Sequence, residues 1–216
     1  MRSFGTIDLL SFATAFQYTI LLVILALIVG APLALGFAML RVSRFAPLRW
    51  VSAAFLQVMQ GVPLLALLMF VYFALPTFLG IRLPPLLAVT AAFTLYTAVF
   101  LGEIWRGGIE AVKRTQWEAA ACLGLSGWQQ FSRVIAPQAL KIALPASVGF
   151  LVQLIKGTSL AAIVGFIELT RAGQLSAAAT LQPLLVYSII AGIYFAVCFP
   201  LTQLSRRLEA RLNGAR

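Results

Sequence analysis

"LLSFATAFQYTILLVILALIVGAPLALGFAML", residues 9–40, contains no Asp, Glu, Lys or Arg. A helix needs about 20 mainly apolar residues to cross the hydrocarbon core of a bilayer, and this run exceeds that length. It lacks the alternation of apolar and polar residues that marks the short strands of a membrane barrel. It therefore reads as a membrane helix, which satisfies its backbone polar groups internally. Three more charge-free runs follow at 50–81, 83–102 and 172–205, and a further run, 143–167, is interrupted only by Lys156.

The composition agrees. The chain has 216 residues, 62% hydrophobic and 10% charged, against roughly 25% charged in soluble domains. The expectation is an all-α integral membrane protein, a single transmembrane domain over 1–216. Five helices are expected near 16–40, 52–75, 85–104, 145–167 and 184–204, with Pro32 and Pro63 kinking the first two.

Orientation follows the basic residues. Twelve of the 16 Lys and Arg fall on one side: Arg41, Arg44, Arg49, Arg106, Lys113, Arg114, Arg133, Lys141, Arg206, Arg207, Arg211 and Arg216. Arg2, Arg82 and Arg171 fall on the other, and Lys156 within a span. This predicts an N-terminus outside and a C-terminus in the cytoplasm. The net charge of +10 then reflects contact with anionic membrane lipid, and no nucleic-acid partner is expected. The basic C-terminal tail (206–216) is expected on the membrane surface. The first helix lacks a small-residue cleavage site and reads as retained.

Absences exclude whole classes of chemistry. The chain has no His, and Asp8 is its one Asp, so no catalytic residue and no metal site is expected. Cys122 and Cys198 suggest neither a disulfide nor a metal. No phosphate-binding G-x-x-x-x-G-K-[ST] loop occurs. The chain is therefore expected to bind no cofactor and to be no enzyme; if ATP drives its work, ATP and Mg belong to another subunit.

The longest connection between spans is 105–141, with a loop at about 107–141. Thr115 and Glu118 have capping-box spacing, followed by helix formers and then Gly124 as a left-handed stop. Ser126 and Gln129 repeat the box, and Pro137 is expected to end or kink the second helix near Ile135. This predicts helix, glycine turn, helix. From the residues alone, such a compact knob can either dock on a partner or pack on its own membrane helices.

Glu118-Ala119-Ala120, then Gly124, then Pro137 resembles the "EAA" loop of permease subunits in bacterial ATP-binding-cassette (ABC) importers. Val134 and Ala136 depart from the usual Ile and Leu of its ending. "GVPLLALLMFVYFALP" (61–76), "LYTAVFLGEIWRGGIEAV" (95–112) and "KGTSLAAIVGFIELTRAG" (156–173) resemble the polar amino-acid branch of that family, and the likeness covers about 15–205. Many members carry Arg where this chain has Gln60.

The resemblance implies an ATP-driven importer for polar amino acids in the bacterial inner membrane. It further implies that two permease chains, identical or homologous, share a pathway. A separate ABC ATPase would dock on the loop, and an extracytoplasmic binding protein would deliver the amino acid. Thr115, Trp117, Glu118, Ala119, Ala120, Gly124 and Leu125 would form the ATPase-coupling surface. Inside the membrane, Lys156 is a costly buried charge beside residues that loosen a helix. Gln153, Lys156, Thr158 and Ser159 are thus candidates for the substrate pathway, unless Lys156 snorkels to an interface or pairs with Glu103. Glu103 and Arg106 read as a solvated helix end, with Arg106 on lipid headgroups. Glu168 and Arg171 read as an outward surface pair. The alternative is a gradient-driven transporter of small polar solutes, although no acid falls deep within a span.

Overall fold

The computed structural model describes residues 3–43 and 45–214. Arg2, Arg44 and Arg216 lie outside the described residues. Among the described residues the chain is helical throughout, with no strand. We number the helices α1 (Thr6–Arg41), α2 (Ala46–Gly61), α3 (Leu64–Leu79), α4 (Pro85–Glu110), α5 (Arg114–Cys122), α6 (Gly127–Val164), α7 (Leu169–Thr180) and α8 (Pro183–Gly214). α1, α4, α6 and α8 are each long and apolar enough to cross a membrane, and α2 with α3 makes a fifth crossing if the bent pair is one span.

The helices run past the expected spans. α1 starts ten residues early because Asp8 closes its first turn by accepting the Gly5 N–H at 3.1 Å. Asp8 is buried and also accepts from the Ser176 hydroxyl at 2.7 Å. Pro32 sits inside the continuous α1. Pro63 instead breaks the chain: Val62 before it is extended (φ −89°, ψ 122°), and α2 and α3 meet at 99°. A proline disfavours helical geometry in its predecessor and lacks an amide donor, so the expected span at 52–75 is two helices. α8 carries the basic tail onward as helix through Gly214.

Lipid tails are as apolar as leucine, so packing rather than hydrophobic transfer must join membrane helices. The α1–α4 pair shows the means. Gly30, Ala34 and Ala38 repeat at four-residue spacing on α1. A methyl group on Gly30 would sit 2.8 Å from Thr97 Cβ, and one on Gly102 would sit 3.0 Å from the Ala34 carbonyl oxygen. Only small residues permit this approach. A central core of Leu22, Leu68, Phe93 and Leu154 joins α1, α3, α4 and α6. One end of the bundle is sealed by Phe12, Leu169 and Val186, the other by Ala38, Ile109, Ile135 and Ala139 beneath the loop.

Candidate functional site

The 111–135 region forms a two-helix knob. α5 begins at Arg114, with Lys113 as its extended N-cap and no side-chain cap. Thr115 is therefore already inside the first turn, and the expected Thr115–Glu118 box does not form. Glu118 instead pairs with Arg114 one turn back, Nε to Oε1 at 3.0 Å. The end of α5 matches the expectation. Gly124 takes φ +71°, its N–H donates to the Ala121 carbonyl at 2.9 Å, and the Leu125 N–H donates to Ala120 at 3.3 Å. Those two bonds are the Schellman closure, which favours glycine at the left-handed position.

The loop residues divide by face. Trp117 packs into the cluster beneath the loop, and Ala120 is buried. Thr115, Glu118, Ala119 and Gly124 are exposed, and Leu125 is half-buried. The outward stripe runs at 115, 118, 119 and 122, one helical face.

The Ser126–Gln129 box forms as expected: the Ser126 N–H donates to Gln129 Oε1 at 2.9 Å, and the Gln129 N–H donates to Ser126 Oγ at 3.4 Å. Pro137 does not end this helix. The backbone widens into a π-helical stretch, Gln130–Ile135, and resumes as α-helix at Ala136. The wider turn accommodates the missing proline donor without breaking the chain. Gln138, missed in the sequence, braces the stretch by donating to the Val134 carbonyl at 2.8 Å and to Gln116 Oε1 of α5 at 3.3 Å.

At the base of the knob, Arg106 Nε donates to Glu103 Oε1 at 2.7 Å, and Arg106 also binds Glu110. Arg41 Nε lies 3.7 Å from Glu103 Oε2. Arg106 is thus engaged by carboxylates, contrary to the expected lipid anchor, and Glu103 is engaged by arginines rather than by Lys156.

Gln153 is exposed on α6 and donates to the Tyr96 hydroxyl of α4 at 3.0 Å. It lines a groove with Gln60, Phe100, Glu103 and Gly149. Lys156, one turn on, faces Thr202, Ser205 and Arg206 of α8 across an adjoining groove. Among the described residues no ion-pair partner of Lys156 is found. Thr158 and Ser159 stand apart from both grooves. Thr158 is fully buried and donates to the Ile155 carbonyl, while Ser159 donates to that of Lys156, each at 2.7 Å. From Thr158 to Val164 the helix tightens to 3-10 geometry and stops at Gly165, φ +80°.

Glu168 overturns its expected surface position. It is fully buried and caps α7 by accepting the Thr170 N–H at 2.9 Å and the Arg171 N–H at 2.8 Å. The Tyr194 hydroxyl donates to the same carboxylate at 3.0 Å. Arg171 turns to Gln174 at 3.0 Å. A lone acid in a charge-poor stretch was the only sequence signal, because Glu is not among the preferred N-caps.

The chain matches the family of binding-protein-dependent transport system inner membrane components over residues 23–214. It is 37% identical over 197 residues to the L-cystine transport system permease protein TcyB of Bacillus subtilis, covering 91% of this chain and 84% of that one. It is 36% identical over 181 residues to the probable amino-acid ABC transporter permease protein YckA of the same organism, covering 84% and 80%. The glutamine transport system permease protein GlnP of Escherichia coli is 35% identical over 164 residues, covering 76% and 75%.

Among solved structures, the crystal structure of an amino acid ABC transporter with histidines superposes with a TM-score of 0.86 at 29% identity, covering 97% of this chain and 100% of that one. The inward-facing MetNI methionine ABC transporter shares the fold alone, with a TM-score of 0.69 at 16% identity over 93% and 95% of the two chains. The chain belongs to the binding-protein-dependent transport system inner membrane components, the multi-pass permeases of ABC transporters.

Proposed function

We propose that this chain is the membrane-spanning permease of an ATP-driven importer for polar amino acids. It works as a pair of permease chains around one pathway, coupled through α5 to a separate ATPase that holds ATP and Mg. The chain itself hydrolyses nothing. An extracytoplasmic binding protein brings the amino acid, the N-terminus lies outside, and the knob and C-terminus lie in the cytoplasm. The names of similar permeases support the substrate class: cystine, glutamine and arginine transport systems.

One observation carries the coupling role. Trp117 and Ala120 fasten the inner face of α5 to the bundle, which leaves Thr115, Glu118 and Ala119 outward on a helix closed by a glycine turn. Such a rigid, small-surfaced projection transmits a push from a partner without deforming.

Gln153 and Lys156 are the pathway candidates with exposed side chains, and Thr158 and Ser159 support the backbone beside them. Gradient-driven carriers often use a buried acid to take the ion, and buried Asp8 already accepts from the Gly5 N–H and the Ser176 hydroxyl. The buried Glu168 carboxylate already accepts three hydrogen bonds. The deciding experiment is mild-detergent purification of the tagged chain from its native membrane. Recovery of a phosphate-loop ATPase, lost on Gly124→Pro, is the expected result. A permease that emerges without any ATPase, and takes up amino acid without ATP, would refute the reading.

A further inference from the structure

At the knob end of the bundle, α1, α4 and α6 leave an apolar cavity of about 290 Å³ between them. Leu35, Trp105, Ile109, Phe131, Ala139 and Leu140 line it. Ile109 and Ala139 are its buried floor, whereas Leu35 and Leu140 are 49% and 61% exposed at its rim. The Trp105 indole N–H is occupied by Ser147 Oγ at 3.2 Å, so the ring offers the cavity only apolar surface. Water finds no polar partners in such a space. In a bilayer, hydrocarbon is the available filling.

Charge marks which lipid. Nearby Arg41 and Arg106 are engaged by Glu103 and Glu110, and Arg114 by Glu118. Arg133 and Lys141 are exposed, and among the described residues neither has an ion-pair partner. Along α6, Arg133 falls between the lining residues Phe131 and Ala136, and Lys141 between Leu140 and Ala143, within reach for long, flexible side chains. Basic residues beside a pocket between membrane helices favour acidic headgroups.

We propose that this cavity binds one acyl chain of an anionic glycerophospholipid, with the headgroup phosphate held by Arg133 and Lys141. The site rests on the cytoplasmic placement of the knob proposed above and is otherwise independent of substrate. It would tie the stability of the α4–α6 junction under the coupling helix to the acidity of the inner leaflet.

The test uses the complex as purified from native membranes, exchanged into nanodiscs of equimolar phosphatidylglycerol and phosphatidylcholine. Lipids that survive mild detergent extraction are counted by native mass spectrometry. The expected result is one phosphatidylglycerol per permease chain, in excess over phosphatidylcholine. Arg133→Gln and Lys141→Gln, both on exposed positions, should each reduce that excess about fivefold. Leu140→Ser at the rim should abolish retention of either lipid. Equal retention of both lipids, or of none, would overturn the site. So would cross-linking of Leu140→Cys to another subunit, since the cavity would then be a protein interface. Orientation is read separately, from labelling of Lys141→Cys in a Cys122→Ser, Cys198→Ser background by an impermeant thiol reagent. Labelling from outside the cell would overturn the placement of the knob, whatever the lipid count.

Discussion

Substituting Gly124 by asparagine, alanine and valine in turn isolates backbone strain from every other effect. Its φ is +71°, and a Cβ built there meets nothing within 4 Å. The added Cβ would not clash and the position is exposed, so the effect is chiefly conformational. An L-residue in the left-handed region costs roughly 1–2 kcal/mol. Asparagine tolerates that region better than alanine, and a β-branched residue tolerates it worst. At about 1.4 kcal/mol per factor of ten, this strain lowers the ratio of closed to open turns about five- to thirtyfold.

The turn-closing bonds from Gly124 to Ala121 and from Leu125 to Ala120 depend on that φ. The strained chain relieves itself by opening them, which swings the end of α5 and leaves the bundle core untouched. The assay is amino-acid uptake and binding-protein-stimulated ATP hydrolysis in proteoliposomes, with assembly checked by co-purification. Coupled uptake should fall in the order Gly, Asn, Ala, Val, with the melting temperature of the permease little changed. A valine variant that assembles and transports like the parent would refute the claim that turn geometry carries the coupling. An asparagine variant worse than alanine would refute the strain argument itself.

Two neighbouring glycines of α4 should respond with opposite sign. A methyl on Gly108 would lie 2.8 Å from the Ala139 carbonyl oxygen and 2.9 Å from Ala143 Cβ, whereas one on Gly107 meets nothing. Thermal unfolding in detergent should therefore show Gly108→Ala destabilised by about 1–3 kcal/mol and Gly107→Ala stabilised by up to about 1 kcal/mol. Glu168→Ala strands two amide donors and the Tyr194 hydroxyl in a buried site and should cost about 3 kcal/mol or more in the same measurement, while Glu168→Gln, which keeps an acceptor, should cost less. Leu181 holds φ 56° on an exposed turn, so Leu181→Gly should raise stability by about 1 kcal/mol. Lys156→Ala should reduce the rate or alter the selectivity of uptake while leaving ATPase binding intact; unchanged transport of every amino acid tested would remove Lys156 from the pathway.

The fold was legible where one rule acted alone. Runs without charge located the membrane helices, because burying ions in hydrocarbon is costly wherever the helices pack. Gly124 and the Ser126–Gln129 pair were legible because turn and cap chemistry is local. The Thr115–Glu118 box failed for an instructive reason: Lys113 can serve as N-cap without any side-chain bond, and Arg114 competes for the same carboxylate. Pro137 was legible only in part: it does not end the helix, since a proline states only that one donor is missing and a π-helical stretch answers that as well as a break does. Glu168 could not be read at all. Its burial depends on Tyr194 and the start of α7 meeting at one point, and no local pattern encodes that meeting.

These irregular turns share one helix, and their placement connects the knob to the groove. The α-helical middle of α6, Ala136–Gly157, is bounded by the π-helical stretch on the knob side and by 3-10 turns at the far end. Its 22 residues at 1.5 Å each span about 33 Å, with Pro145 inside, where the Ser205 hydroxyl of α8 donates to the Pro145 carbonyl at 2.8 Å. Regular helix is stiff along its axis, and a helix redirects at least cost where it leaves α geometry or carries an internal proline. Gln138 joins the near end of this segment to Gln116 of α5 by one hydrogen bond of 3.3 Å, and Gln153 and Lys156 lie near the far end. A displacement of α5 of an ångström or so therefore need not be relayed residue by residue through the core. Under the proposed coupling role, the segment tilts or flexes at Pro145, and the two exposed polar side chains should move with it.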